Sequence, residues 1–138
     1  MSKPESAEGA EVTSAFRPLT LDQLTDLIIG AAIEVHRNTE PGLMESTYEE
    51  CLCYELTQRG ITFRRQVRLP ISYKGVKLDC GYIMDLVVED SIVLELKTGH
   101  VLPPGSKSQL LTYVRQSRKK IGLLLFFGPA PEVQRVEL

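Results

Sequence analysis

No apolar run in the chain approaches the roughly 20 residues that a helix needs to cross a bilayer, which excludes a membrane-spanning helix. The first residues, "MSKPESAEGAEVTSAFRP", lack the apolar segment of a secretory signal. They are rich in Ser, Glu, Ala and Pro and poor in core formers, so residues 1–18 are expected to be a flexible tail. Cysteine is scarce: Cys51, Cys53 and Cys80 form no CxxC pair, and an odd number leaves one unpaired within a monomer. That points to a reducing compartment and so to the cytoplasm. With His36 and His100 the cysteines match no zinc spacing, and Cys51 and Cys53 would face different sides of a helix. Positive charge is not in excess either. Sixteen Lys and Arg against 18 Asp and Glu give a net charge of −2, which argues against a protein that coats nucleic acid through a general basic surface. Two local basic stretches remain, one holding Arg59, Arg64, Arg65, Arg68, Lys74 and Lys77, the other running from Arg115 to Lys120. No internal repeat is present.

What is present fits one ordinary globular domain, expected over residues 19–138: 43% of the chain is hydrophobic and 25% charged. Thr20 with Gln23 forms a capping-box pattern, and Leu24, Leu27, Ile28, Ala31, Ala32 and Val35 follow at helical spacing. Pro41-Gly42 breaks the chain before "LMESTYEECLCYELTQRG", a second helix or a bent continuation of the first, which Gly60 closes. The period then changes to two. "ITFRRQVRLP" alternates, "ISYKGVKLDC" reads as a hairpin turning at Lys74-Gly75, and "GYIMDLVV" and "SIVLELKT" form the next pair. A helix over "SQLLTYVRQSRKK" precedes "IGLLLFFG", a continuous apolar run of the kind found in a fully buried strand. A short final strand is expected after Pro129. Helices followed by strands, a helix and a strand predict an α/β arrangement around one mixed sheet, with residues 121–127 laid parallel to 92–97 by a crossover.

The strand "SIVLELKT" carries an acid and an amine amid apolar residues. Alternation puts Val93, Glu95 and Lys97 on one face, and Ile92, Leu94 and Leu96 on the other. The place of Asp85 depends on the turn. A two-residue turn pairs Asp85 with Leu94, whereas a three-residue loop at Glu89, Asp90 and Ser91 pairs Val88 with Ile92 and hence Asp85 with Glu95. The second register is predicted, since it gathers both carboxylates. Opposed like charges need a neutraliser, and a divalent cation is the natural one. Lys97 would then point to the same spot.

Asp85 followed by Glu95-Leu96-Lys97 resembles the D…(D/E)xK signature of the PD-(D/E)XK nuclease superfamily, and the order of elements resembles its restriction-endonuclease-like αβββαβ core, a central mixed sheet flanked by helices. "GLMESTY" matches the GxxExxY pattern of a small prokaryotic family assigned to that superfamily, and "GAAIEVH", "YKGVKLDCGYIMDLVVED" and "QLLTYV" are similar to the same family. The resemblance covers about residues 24–127. It implies that Asp85, Glu95 and the backbone carbonyl of Leu96 hold Mg²⁺ or Mn²⁺, that Lys97 is the catalytic lysine, and that Glu45 is the acid supplied by the helical part. Gln109 and Tyr113 resemble the QxxxY element of exonuclease-like members, and their i, i+4 spacing puts them on one helix face. His36 falls in the family's "VH" motif. The position three residues before the Gln, often His in the family, is Ser106 here.

The implied function is metal-dependent hydrolysis of phosphodiester bonds in DNA, single-stranded or branched forms included, with the stretch around Arg64, Arg65 and Arg68 binding backbone. The alternative is a catalytically inactive protein of the same fold, acting as a nucleic-acid-binding or protein-interaction module. A homodimer would suit either.

Overall fold

The computed structural model describes residues 18–138, so the expected tail, apart from Pro18, lies outside the described residues. Helix α1 (Leu21–Arg37) opens on the expected capping box: the Gln23 amide donates to Thr20 Oγ1 and the Thr20 amide to Gln23 Oε1. Helix α2 (Glu45–Gln58) is a separate helix that follows a loop through Pro41-Gly42. The strands are β1 (Phe63–Arg68), β2 (Ile71–Tyr73), β3 (Val76–Leu78), β4 (Ile83–Val88) and β5 (Ile92–Thr98). Helix α3 (Ser106–Ser117), β6 (Ile121–Phe127) and β7 (Pro131–Glu137) complete the chain. Helix α3 is shifted from the expected 108–120: it starts at Ser106, Arg118 turns left-handed, and Lys119 and Lys120 lie beyond it. The final strand is longer than expected, because β7 pairs with β6 along its whole length.

The central sheet has the order β1-β4-β5-β6-β7. Its pairs are antiparallel except β5–β6, which is parallel from Ile92↔Ile121 to Thr98↔Phe127. The crossover through α3 thus makes β5 an interior strand, covered on both edges. Helices α1 and α2 pack on one face through Ile28, Leu52, Leu56, Leu94 and Leu96. Helix α3 covers the other through Leu110, Val114, Val93 and Leu124. Gly122 permits this second contact. A Cβ there would stand 2.6 Å from Val114 Cγ2 and 2.8 Å from Leu110 Cδ1.

The β2–β3 hairpin is not part of this sheet. It turns at Lys74-Gly75 as expected, both residues having positive φ, but it forms a two-stranded ribbon of its own. The ribbon is inserted between β1 and β4, where the Leu69 amide still donates to the Tyr82 carbonyl at 2.9 Å. Among the described residues no helix is long and apolar enough to cross a membrane.

Helix α3 is held so close to β6 that Gly122→Ala should destabilise the fold by about 1–3 kcal/mol, by forcing Val114 or Leu110 off its rotamer. Urea denaturation checks this; an unchanged midpoint would mean that α3 can lift without cost.

Candidate active site

The loop that sets the register is the three-residue one. Val88 pairs with Ile92, Val87 with Val93 and Leu86 with Leu94, with Glu89 and Asp90 both left-handed. The loop is anchored: Glu89 Oε2 accepts from the Thr62 amide at 2.6 Å and from the Thr62 hydroxyl at 2.7 Å. The next pair in this register is Asp85 with Glu95, and there the backbone ladder stops. The side chains take its place. The Leu96 amide donates to Asp85 Oδ2 at 2.8 Å, and the Asp85 amide donates to Glu95 Oε2 at 3.1 Å. Each carboxylate therefore reaches into the gap between the strands and accepts from the backbone, rather than standing upright on the face. In a strand the N–H and C=O of one residue point to the same neighbour. The Leu96 carbonyl accordingly lies on the side of β4 and Asp85.

The same row is distorted in β1. Gln66, opposite Asp85, has φ +50°, and the β1–β4 pairing skips it while keeping register on both sides. The facing of side chains inverts there. Phe63, Leu86 and Val88 join the core under α1 and α2, whereas Val67, Leu69 and Met84 join the core under α3. What holds the kink is a residue that the sequence did not single out, Glu49. It is only 5% exposed. Its carboxylate accepts from Arg65 Nε at 3.0 Å and from Gln66 Nε2 at 2.9 Å, while Arg65 also donates to Glu50 at 2.7 Å. Glu49 lies one helical turn after Glu45, and that i, i+4 spacing was its one visible signal.

Electrostatics shows which groups share the site. Burial pushes Glu95, 4% exposed, up to about 8, and the Asp85 charge adds to that; the Asp85 amide and Lys97 oppose it. Burial likewise raises Asp85, against the Leu96 amide, with Glu49 adding to the rise and Lys97 and Gln66 opposing it. Glu45, in the first turn of α2, is raised by partial desolvation of its carboxyl, then by Asp85 and Glu49, with Lys97 again opposing. Burial raises Tyr113, as do the charges of Glu95 and Asp85. Glu45, Asp85, Glu95 and Lys97 thus act on one another, and Tyr113 lies in the field of Glu95 and Asp85. Lys97 forms no ion pair among the described residues, leaving its ammonium uncommitted beside the acids.

Other expected residues lie elsewhere or do something else. Gln109 is exposed one turn before Tyr113, and only its backbone is bonded, to Gly105. His36 donates through Nε2 to the Gly128 carbonyl at 2.9 Å and ties the end of α1 to the end of β6. Tyr48 stacks on Phe127, with centroids 4.7 Å apart, and donates to the Glu40 carbonyl, which is a packing role. Arg64, Arg65 and Arg68 are each engaged with acids, Asp90, Glu49 with Glu50, and Asp79 respectively, so they do not offer the open basic stretch expected of them. Cys51, Cys53 and Cys80 are all free thiols.

The candidate donors are the buried Glu95 carboxylate, the partly buried Asp85 carboxylate and the Leu96 carbonyl, hard oxygens that suit Mg²⁺ or Mn²⁺ rather than a thiophilic metal. Among the described residues no three His, Cys, Asp or Glu side chains converge into a metal cage. A magnesium-type ion does not need one, since waters and phosphate oxygens commonly fill most of its shell.

The Glu95 shift makes stability depend on pH. Between its usual 4.5 and about 8 the native chain keeps a proton that the unfolded chain gives up. Stability should therefore fall as pH rises through that window, by up to about 1.4 kcal/mol per pH unit, and level off above it. In chelator, Glu95→Gln should remove most of this slope, as measured by denaturation at several pH values; equal slopes in both proteins would contradict the assignment.

No curated protein sequence matches the chain. A crystal structure of SSO0001 is similar at 14% identity, over 83% of this chain and 77% of that one, with a TM-score of 0.45. The profile of the PD-(D/E)XK nuclease superfamily matches residues 22–136, nearly the whole described length. With its central mixed five-stranded sheet flanked by helices, a restriction-endonuclease-like fold, the chain belongs to the PD-(D/E)XK nuclease superfamily.

Proposed function

We propose that this protein is a metal-dependent nuclease that hydrolyses phosphodiester bonds in DNA, and that it falls in the GxxExxY branch of its superfamily. The observation that carries the reading is the Asp85–Glu95 row: two carboxylates gathered between adjacent strands with Lys97 uncommitted beside them. A fold gains nothing in stability from two opposed, desolvated acids, whereas a phosphate-cleaving site needs them.

Asp85, Glu95 and the Leu96 carbonyl would hold Mg²⁺ or Mn²⁺. Bound there, the ion supplies Lewis-acid polarisation of a phosphoryl oxygen and acidifies a water. The side chains supply the rest. Lys97 orients the attacking water and offsets the negative charge that develops on the phosphoryl oxygens. Glu45 accepts a proton from the attacking water or helps to hold it, its raised pKa bringing it nearer to neutral pH. Tyr113, on α3 in the field of Glu95 and Asp85, would contact the scissile phosphate, and the exposed Gln109 one turn earlier would reach a neighbouring phosphate. In the reaction a water oxygen bonds to phosphorus as the bridging P–O bond breaks, leaving a phosphate monoester and a hydroxyl end.

Cleavage of single-stranded, double-stranded and branched DNA, with Mg²⁺ or Mn²⁺ and with chelator, tests this. Activity should need the metal, and Asp85→Ala and Lys97→Ala should each lower the rate by roughly 10² or more. No cleavage of any substrate with either metal, or both variants cutting like wild type, would overturn the reading. Binding without cleavage would assign the chain to a non-catalytic member of the fold.

A further inference from the structure

The β2–β3 hairpin presents a surface that the fold does not use. Ile71 pairs with Leu78 and Tyr73 with Val76, so these four share one face of the ribbon, while Ser72 and Lys77 share the other. On the apolar face Tyr73 is 59%, Val76 55% and Leu78 42% exposed. A two-stranded ribbon does not hold an apolar face in water without help from something that covers it. Two features indicate what that is. The first is charge: Lys74 lies 5.6 Å from the centroid of the Tyr73 ring, and Lys74 and Lys77 form no ion pair among the described residues. The acid nearby in sequence, Asp79, is already engaged by Arg68 at 3.3 Å. The second is continuity with the carboxylates. The ribbon leaves the sheet at Leu69 and re-enters at Tyr82, three residues before Asp85. Tyr82 is 40% exposed and meets Tyr113 edge-to-face at 6.0 Å, and Tyr113 lies in the field of Glu95 and Asp85.

We propose that the hairpin and Tyr82 are a landing surface for an unpaired nucleic-acid strand, with Tyr73 and Tyr82 stacking bases and Lys74 taking a phosphate, which leads the strand to the Asp85–Glu95 row. The proposal rests on the nuclease reading and narrows its substrate. Exposed aromatic rings flanked by cations are the common means of holding single strands, because every base has a face to stack and every nucleotide a charge. Bases inside a duplex are stacked on one another and cannot use these rings. Lys77, on the reverse of a ribbon only two strands wide, adds to the local potential within a Debye length. A second copy of the chain fits less well: the face spans four residues, where a stable interface takes about 20–30 a side, and pairing two such ribbons would bring four uncompensated lysines together.

The test is fluorescence anisotropy of the full chain in chelator, with a short labelled oligothymidylate, the matching oligouridylate, and a duplex. Both single strands should bind more tightly than the duplex. Tyr73→Ala and Tyr82→Ala should each weaken single-strand binding roughly 5- to 100-fold. Tyr73→Phe should bind like wild type and Tyr73→Leu like the alanine variant, because stacking needs the ring and not merely apolar bulk. Lys74→Ala should flatten the salt dependence by about 0.7 in log–log slope. Equal affinity for strand and duplex, or full binding by Tyr73→Leu, would overturn the proposal. So would concentration-dependent self-association in sedimentation that Tyr73→Glu abolishes. The two readings fail separately: loss of strand binding in the Tyr73 variants with no cleavage by wild type keeps the surface and removes the nuclease, and cleavage that needs Lys97 with Tyr73 variants binding normally does the reverse.

Discussion

Two carboxylates opposed in one row of a sheet are the constraint around which the rest of this structure is arranged. Asp85 and Glu95 would repel if both were charged, and each loses hydration by burial. Three features offset that. Each carboxylate accepts a backbone amide, Glu95 keeps its proton to about pH 8, and the Lys97 ammonium stands near without being consumed by an ion pair. None of the three removes the underlying cost. The row remains a place where a bound cation would offset a real cost, for Glu95 is raised first by burial and then by the Asp85 charge.

The scaffold keeps the row from collapsing. Had the β4–β5 ladder continued, Asp85 and Glu95 would have been two more paired residues with side chains projecting from the sheet. Instead β1 is kinked at Gln66, and the Glu49–Arg65–Gln66 clamp from α2 holds the kink. Beyond the row the parallel pairing of β5 to β6 runs unbroken through Glu95 and Lys97, so one side of β5 is rigid while the other is open. An interior strand with one loosened edge can present carboxylates between strands while its neighbours on either face, Leu94 and Leu96 beneath α1 and α2 and Val93 beneath α3, stay fully packed. Helix α2 contributes acids from above the row and α3 contributes Tyr113 from below, which explains why so few residues of the site are close in sequence.

Much of this was legible because it follows from short-range rules. The capping box at Thr20, the period-two strands, the turn at Lys74-Gly75 and the loop Glu89–Ser91 are local patterns, and the loop length alone decided that Asp85 faces Glu95 rather than Leu94. What was not legible depends on contacts between distant segments. Nothing in "FRRQVR" announces a left-handed Gln66, since glutamine rarely adopts that conformation and the Glu49 carboxylate that holds it comes from a distant helix. Glu49 itself looks like an ordinary helix-surface acid until β1 is laid against it. Tyr48 and Tyr113 show the same limit: two tyrosines on two helices, one stacked on Phe127 and bonded to a loop carbonyl, the other beside the carboxylates, with no local difference in sequence to separate them.

The basic stretch from Arg59 to Lys77 shows how charge counted along a chain differs from charge available to a ligand. Six cations fall in that stretch. Arg59 is bonded to Glu55, Arg64 to Asp90, Arg65 to Glu49 and Glu50, and Arg68 to Asp79. These pairs are mostly exposed and contribute little to stability, yet each acid offsets the charge that its arginine would present to a ligand. The uncompensated remainder is Lys74 and Lys77 on the hairpin, together with Lys97 at the row. On the proposed reading, a polyanion at this end of the sheet would be attracted by the ribbon lysines and by the lysine beside the carboxylates, while the acids themselves would repel it until a cation is bound. On the same reading, affinity for the strand and readiness to cut it rest on different groups, so removal of a bound metal would leave the first while abolishing the second.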